Sequence, residues 1–297
     1  MAPRLLDLHL PAHLRADHQA GKVNILSRLI EALPGWQITD RDEHAPERAH
    51  PGHSLLHMRE PVGPRTLSLR RAYLYPFWRI EPTNERWNFA VAQARPALAG
   101  IAPGPARGFH RRLRDRCFPG LPDLTDEGFI FMLLQGRLLD HRSFQSMSPV
   151  AMIEATLACD PRPICATLHP GESYSAAEHA ALAALQDRHP RFRLVEGRAA
   201  DLVPRCSFVV TQNSSVGLQA MIAGKGLVLF AGIDFHHPAG SVGRDGLAAA
   251  FDKGRIPSAD MARWLWWFFK DQAIDAQSPE AASRIARLLA AQGWPVE

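Results

Sequence analysis

Short, dense apolar runs alternate with polar turns along the second half of the chain, too short and too dense for amphipathic helices. CSFVVTQNSSVGLQAMIAGKGLVLFAGIDF, Cys206–Phe235, shows the pattern best. It predicts a buried strand at Ser207–Thr211, a polar turn at Gln212–Ser215, a helix at Val216–Ala223, a Gly-Lys stop and a second buried strand at Gly226–Ala231. Upstream, strands are expected at Phe129–Leu134, Pro163–Leu168 and Phe192–Val195, separated by helices at Pro149–Ala158 and Ala176–Arg188. Helices near Ser258–Ala273 and Pro279–Gln292 would close the domain. Alternation of this kind implies a parallel sheet covered on both faces. The first half is less regular. Arg4–Leu8, Trp36–Thr39 and Ser54–Met58 read as strands and Val23–Leu33 as a helix, which suggests a smaller α/β domain. Pro96–Gly108, PALAGIAPGPARG, reads as the connection, so domains are expected at 1–107 and 125–297.

Polar clusters fall where the strands of the second half should end. Gln135-Gly136 follows FIFMLL, with Asp140 a few residues on, and His169-Pro170 follows ICATL, with Glu172 close by. Asn213-Ser214-Ser215 follows SFVVTQ, and Asp234 follows LVLFAGI. Right-handed crossovers bring such ends to one edge of the sheet, where ligands bind in open α/β folds. Asn213-Ser214-Ser215 also caps the next helix, so free amides, hydroxyls and the helix dipole favour an anion there, with a phosphate the natural guess. Singly, Ser214 is an ordinary N-cap and His169 a turn residue. Four loops converging argue for a site.

Composition narrows the classes. The chain has 297 residues and a formal charge of +4, which suits an anionic ligand or membrane surface; no nucleic-acid motif accompanies it. Cys117, Cys159, Cys165 and Cys206 are dispersed, as for reduced thiols in the cytoplasm. The N-terminus carries no signal-peptide pattern and no run approaches a membrane span, so a cytoplasmic protein is expected. Arg107, Arg111, Arg112, Arg114 and Arg116 read as a solvated helix face, or as a surface for an acidic acceptor or anionic lipid. WLWWFF, Trp264–Phe269, reads as packing of a terminal helix, with a membrane surface as the alternative. Asp40-Arg41-Asp42 could be a metal-binding D-x-D, but acidic turns after strands are common. His236-His237 cannot both face one metal in regular structure, and no zinc spacing occurs. Hydrolase-elbow, P-loop and dinucleotide fingerprints are missing.

LLQGRLLDHRSF, TLHPGE and TQNSSVGLQAMIAGKGLVLFAGIDF resemble, in order and spacing, the nucleotide-binding half of the capsule-polysaccharide biosynthesis proteins. These are bacterial Kdo transferases, similar in turn to bacterial sialyl- and polysialyltransferases. The resemblance covers about residues 128–240. It implies an α/β GT-B-like architecture of two Rossmann-like domains and a metal-independent glycosyltransferase. The donor would be a CMP-activated sugar, Kdo or a related acidic one, and the acceptor a saccharide or glycolipid. No other cofactor is implied. Peripheral association with the inner face of the cytoplasmic membrane would be compatible. His169 and Pro170 would contact the CMP moiety, Ser214 and Ser215 its phosphate, and Gln135 and Gly136 would line the donor pocket beside Asn213. The departures are specific. Leu168 stands where the family usually has Lys, and in RRAYLYPFWRIEP Arg71-Ala72 stands where Glu-Gly is expected, with Tyr75 in place of Arg. Glu81 or Glu85 would then supply the catalytic carboxylate, with His169 serving the departing phosphate; otherwise the protein is a degenerate transferase that binds without catalysis. Asp126-Glu127-Gly128 looks like the acidic motif but lies out of order. A nucleotide-diphosphate-sugar enzyme of the same architecture would want a basic residue near the diphosphate, for which Lys225 and Arg244 are candidates.

Overall fold

Two six-stranded sheets, each mostly parallel, organise the chain in the computed structural model, which describes residues 4–22, 24–45, 52–120 and 123–296. They belong to two compact units. Met1–Ala94 forms the first together with Trp267–Glu297, and Arg95–Trp266 forms the second.

In the first unit, strands β1 (Leu5–Leu10), β2 (Gln37–Asp42), β3 (His53–His57) and β4 (Thr66–Arg71) run parallel. β5 (Phe77–Glu81) pairs antiparallel with β4, and the short strand Ile274–Asp275 pairs antiparallel with β5. The order is Ile274–Asp275, β5, β4, β3, β1, β2. Helix Ile25–Ala32 is capped by Asn24, whose side chain accepts the Leu26 N–H at 2.8 Å, and buries Ile25, Leu26 and Leu29 against Leu6 and Leu8. Helix Ala281–Ala291 buries Ile285 and Leu289 in the same core, and Trp294 stacks on Trp36 at 5.9 Å between ring centroids. Residues 267–297, expected to close the second domain, therefore belong to the first core. The apolar stripe of a helix requires a core but does not say which one. β4 and β5 were not expected either. Arg70, Arg71 and Arg79 interrupt their apolar pattern; Arg79 is nonetheless buried, donating to the Gln272 and Phe268 carbonyls over the Phe268 ring.

In the second unit six strands run parallel: β6 (Ile130–Leu134), β7 (Ile164–Leu168), β8 (Phe192–Leu194), β9 (Phe208–Thr211), β10 (Gly226–Leu229) and β11 (Gly240–Ser241). Their order is β11, β10, β9, β6, β7, β8. Helices Pro149–Cys159, Ala176–Arg188 and Ser215–Ala223 occupy the connections, close to the sequence expectation. Helix Ser215–Ala223 lies tight on the sheet: a Cβ on Gly217 would stand 3.1 Å from Leu227 and 3.4 Å from Thr211. The helix stops at Gly224, whose φ of 103° favours glycine. Helix Pro103–Cys117 starts inside the segment read as a connection, because prolines in a first turn interrupt no helical hydrogen bond. The second unit accordingly begins at Arg95, ahead of the expected boundary. Among the described residues no helix is long and apolar enough to cross a membrane.

Candidate functional site

The chain leaves β6 toward β7 and β8, then returns to β9 on the other side of β6. Strand order reverses between β6 and β9, and at such a reversal the connections diverge and open a crevice beyond the carboxyl ends. A cleft of about 490 Å³ lies there. Gln135 lines it after β6, His169 and Pro170 after β7, Gly197, Arg198 and Ala199 after β8, and Ser214 to Val216 after β9. The last residues of β6 and β7 complete the lining.

Each wall has a local cause. Ser214 is the N-cap of helix Ser215–Ala223, and its Oγ accepts the Val216 N–H at 3.3 Å. The close approach at Gly217 holds this helix against the sheet, with its amino end at the cleft. His169 Nδ1 accepts the Gly171 N–H at 3.1 Å, so a neutral ring carries its proton on Nε2 and presents a donor. The His169 amide is fixed in turn, donating to the Leu134 carbonyl at 3.0 Å and the Tyr174 hydroxyl at 2.9 Å. Gln135 keeps its side-chain oxygen buried with no hydrogen-bond partner among the described residues, an acceptor waiting for a donor. Beneath this wall Glu178 ties two elements together. Its carboxylate accepts the Ser175 amide and hydroxyl, each at 2.8 Å, and the Leu138 amide. These bonds, the one from the Ser175 amide foremost, hold the carboxyl below its ordinary range.

Of the residues singled out from the sequence, Gln135, His169, Pro170, Ser214 and Ser215 meet in the cleft. Gly136 is buried behind it, under Glu172, where a Cβ would stand 3.0 Å from the carboxyl carbon. Asn213 is buried and outside the lining. Asp234, His236 and His237 follow β10, one strand beyond β9; the two rings stack at 4.1 Å, and His236 Nδ1 engages the Ile233 carbonyl. Glu81 and Glu85 belong to the first unit. Glu81 is buried at the end of β5 and accepts the Ala90 N–H at 3.2 Å; Glu85 is exposed and accepts from Asn88 at 2.7 Å. Asp40 and Asp42 lie within edge strand β2, not in a turn after a strand, and Asp42 pairs with Arg15 at 3.1 Å. Among the described residues no group of three or more His, Cys, Asp or Glu side chains is placed to hold a metal ion.

Other candidates are engaged elsewhere. Asp126 accepts from Ser207 and Gly128, and Glu127 pairs with Arg205 through two bonds of 2.7 Å, at the amino-terminal edge of the sheet. Lys225 sits at that same edge, its ammonium on the Thr125 and Cys206 carbonyls at 2.7 Å. It cannot serve a diphosphate in the cleft. Arg244 lies on a short helix after β11, outside the lining. In WLWWFF every side chain but the half-buried Trp266 is buried, so the run is interior packing rather than a membrane face. Arg107, Arg111 and Arg114 stand on the exposed face of helix Pro103–Cys117, lining a groove of about 230 Å³ with His110. Sequence reasoning missed Gly197–Ala199. The EGRAA segment follows the shortest strand expected in the second half and carries no motif, yet its place after a strand was a usable signal.

The fold is mixed α/β with two parallel-dominated sheets, the second in a doubly wound, Rossmann-like strand order. One solved structure sharing it is the KpsC beta Kdo 2,7 transferase of Thermosulfurimonas dismutans. Identity is 12%, the TM-score is 0.51, and the match covers 96% of this chain and 99% of that one. The KpsC beta Kdo 2,4 transferase of the same organism matches at 13% identity and a TM-score of 0.45, over 89% of this chain and 90% of that one. At 12% identity the likeness to the first is one of fold. No protein-family profile matches the chain, and no curated protein sequence does.

Proposed function

We propose that the protein is a GT-B-like glycosyltransferase of surface-polysaccharide synthesis, moving Kdo or a related acidic sugar from CMP to a saccharide or glycolipid acceptor without a metal. The observation that carries this reading is the meeting of Gln135, His169, Pro170, Ser214 and Ser215 in one cleft at the strand-order reversal. The fold shared with the beta Kdo 2,7 transferase supports the choice of sugar. CMP leaves readily when its phosphate charge is met by donors already in place. The amino end of helix Ser215–Ala223 and the Ser214 and Ser215 hydroxyls would supply them. His169 Nε2–H, oriented by Gly171, would hydrogen-bond or protonate the departing phosphate. Glu81, with Glu85 as its alternate, is assigned as the carboxylate acting on the acceptor hydroxyl. We place the protein in the cytoplasm, with the arginine face of helix Pro103–Cys117 able to meet anionic lipid at the inner membrane face.

Thermal unfolding with CMP, UDP, GDP or ADP, with and without manganese, tests this. CMP alone should stabilise the protein, by roughly 2.7 kcal/mol at 100 times its dissociation constant. A response confined to UDP with manganese overturns the CMP reading. A second reading, binding without catalysis, is favoured by Arg71, which occupies the expected position of an acid and stacks on Trp78 at 5.4 Å. Glu81→Gln should abolish transfer and leave CMP binding intact. A wild type that binds CMP yet neither transfers nor hydrolyses CMP-sugars establishes the second reading.

A further inference from the structure

We propose that Arg198 is an anion-recognition residue at the β8 end of the cleft, occupied by Asp201 until an anion competes for it, which makes the charge of the bound donor part of its selection. The proposal rests on the reading of the cleft as a donor site. Of the residues lining the cleft, Arg198 alone carries a permanent positive charge. Its guanidinium is not committed to the fold. Nε and Nη2 donate to the two oxygens of Asp201 at 3.0 and 3.2 Å, while Nη1 has no partner among the described residues. Both side chains of the pair are largely exposed, at 83% and 52%. Exposed pairs of this kind contribute little to stability and open readily, so an anion in the cleft can draw on the fork at small cost. Asp201 meanwhile competes for it, and a planar fork suits phosphate and carboxylate alike.

Strand order says which anion it meets. β9, β6, β7 and β8 are successive neighbours, so the Ser214 and Arg198 ends stand three strand spacings apart, roughly 14 Å at about 4.8 Å per spacing. His169 is one spacing from Arg198 and two from Ser214. Arg198, on the loop after β8, therefore stands on the His169 side of the cleft, and the negative charge it reads is the part of the bound donor on that side. A nucleotide-linked acidic sugar offers charge in two places, its phosphate and its carboxylate; a nucleoside or a neutral sugar does not.

Titration calorimetry with cytidine, CMP and CMP-N-acetylneuraminate separates the sources, using wild type, Arg198→Ala, Asp201→Asn and the double variant. Arg198→Ala should weaken the charged ligand it reads roughly five- to tenfold and leave cytidine unchanged. A loss already present for CMP assigns the phosphate, and a loss confined to CMP-N-acetylneuraminate assigns the carboxylate. Asp201→Asn should tighten that same ligand, and only while Arg198 is present, an effect that a purely structural pair would not show. Equal changes for all three ligands, or none, overturn the role of Arg198 while the donor-site reading stands. A wild type that binds none of the three overturns the donor site and this proposal together. Unchanged unfolding temperatures of the variants confirm that folding is not the cause.

Discussion

The two edges of the second sheet use polar side chains for opposite ends. At the amino-terminal edge the charges are closed on one another. Buried Asp160 accepts from Arg162 and Arg255, each at 2.9 Å, Glu127 holds Arg205, and Lys225 caps the Thr125 and Cys206 carbonyls. At the carboxyl edge the Gln135 oxygen has no partner among the described residues, His169 presents a proton and a helix N-terminus faces open space. A polar residue at a strand end is thus informative only once its partners are known. Asp126 and Glu127 look as catalytic in sequence as Gln135 or His169, yet their hydrogen bonds are already spent on the fold.

Substitutions should separate the edges. The largest effect is expected at Asp160→Ala, which removes the buried carboxylate shared by Arg162 and Arg255, leaving Arg255 only Asp252 and the Cys159 carbonyl, and should lower stability by about 3 kcal/mol in urea unfolding. CMP affinity of the folded fraction should not change, and a large affinity loss would mean that the edges are coupled. Ser214→Ala should do the reverse, weakening CMP by about 1.5–3 kcal/mol in calorimetry while costing the fold about 1 kcal/mol as a lost cap. A stability loss larger than the binding loss would return Ser214 to the role of a plain N-cap.

The smallest effect is a pH slope at Glu178. Its carboxyl sits below the ordinary 4.5, so its contribution is complete above that pH and fades as pH falls through the lowered value. Wild type should therefore lose more stability than Glu178→Gln between pH 7 and the acid side of 4.5, read from urea midpoints. Parallel slopes would show that the Ser175 and Leu138 bonds add nothing.

Much of this edge was legible in the sequence because parallel strands buried on both faces read as unbroken apolar runs, as in IFMLL, ICATL, FVVT and GLVL. The residues just beyond them, Gln135, His169 and Ser214, followed from topology. The first unit was harder. Trp36–Thr39 was read as a strand, but β2 runs on through the polar Asp40–Asp42, and the unexpected β4 and β5 carry Arg70, Arg71 and the buried Arg79 where a core strand would be apolar. Arg198 escaped notice because its relation to the cleft comes from strand order, whereas its sequence neighbourhood shows only an exposed pair with Asp201.

The split first unit has a consequence for synthesis. Arg95–Trp266 leaves the ribosome in full while the first unit still lacks the strand beside β5 and helix Ala281–Ala291. At roughly 5–20 residues per second, Trp36 and the apolar face of Ile25 and Leu29 wait on the order of ten seconds or more for Ile285, Leu289 and Trp294. The unit whose strands are made before Arg95–Trp266 is then completed after it, its apolar face uncovered in the meantime.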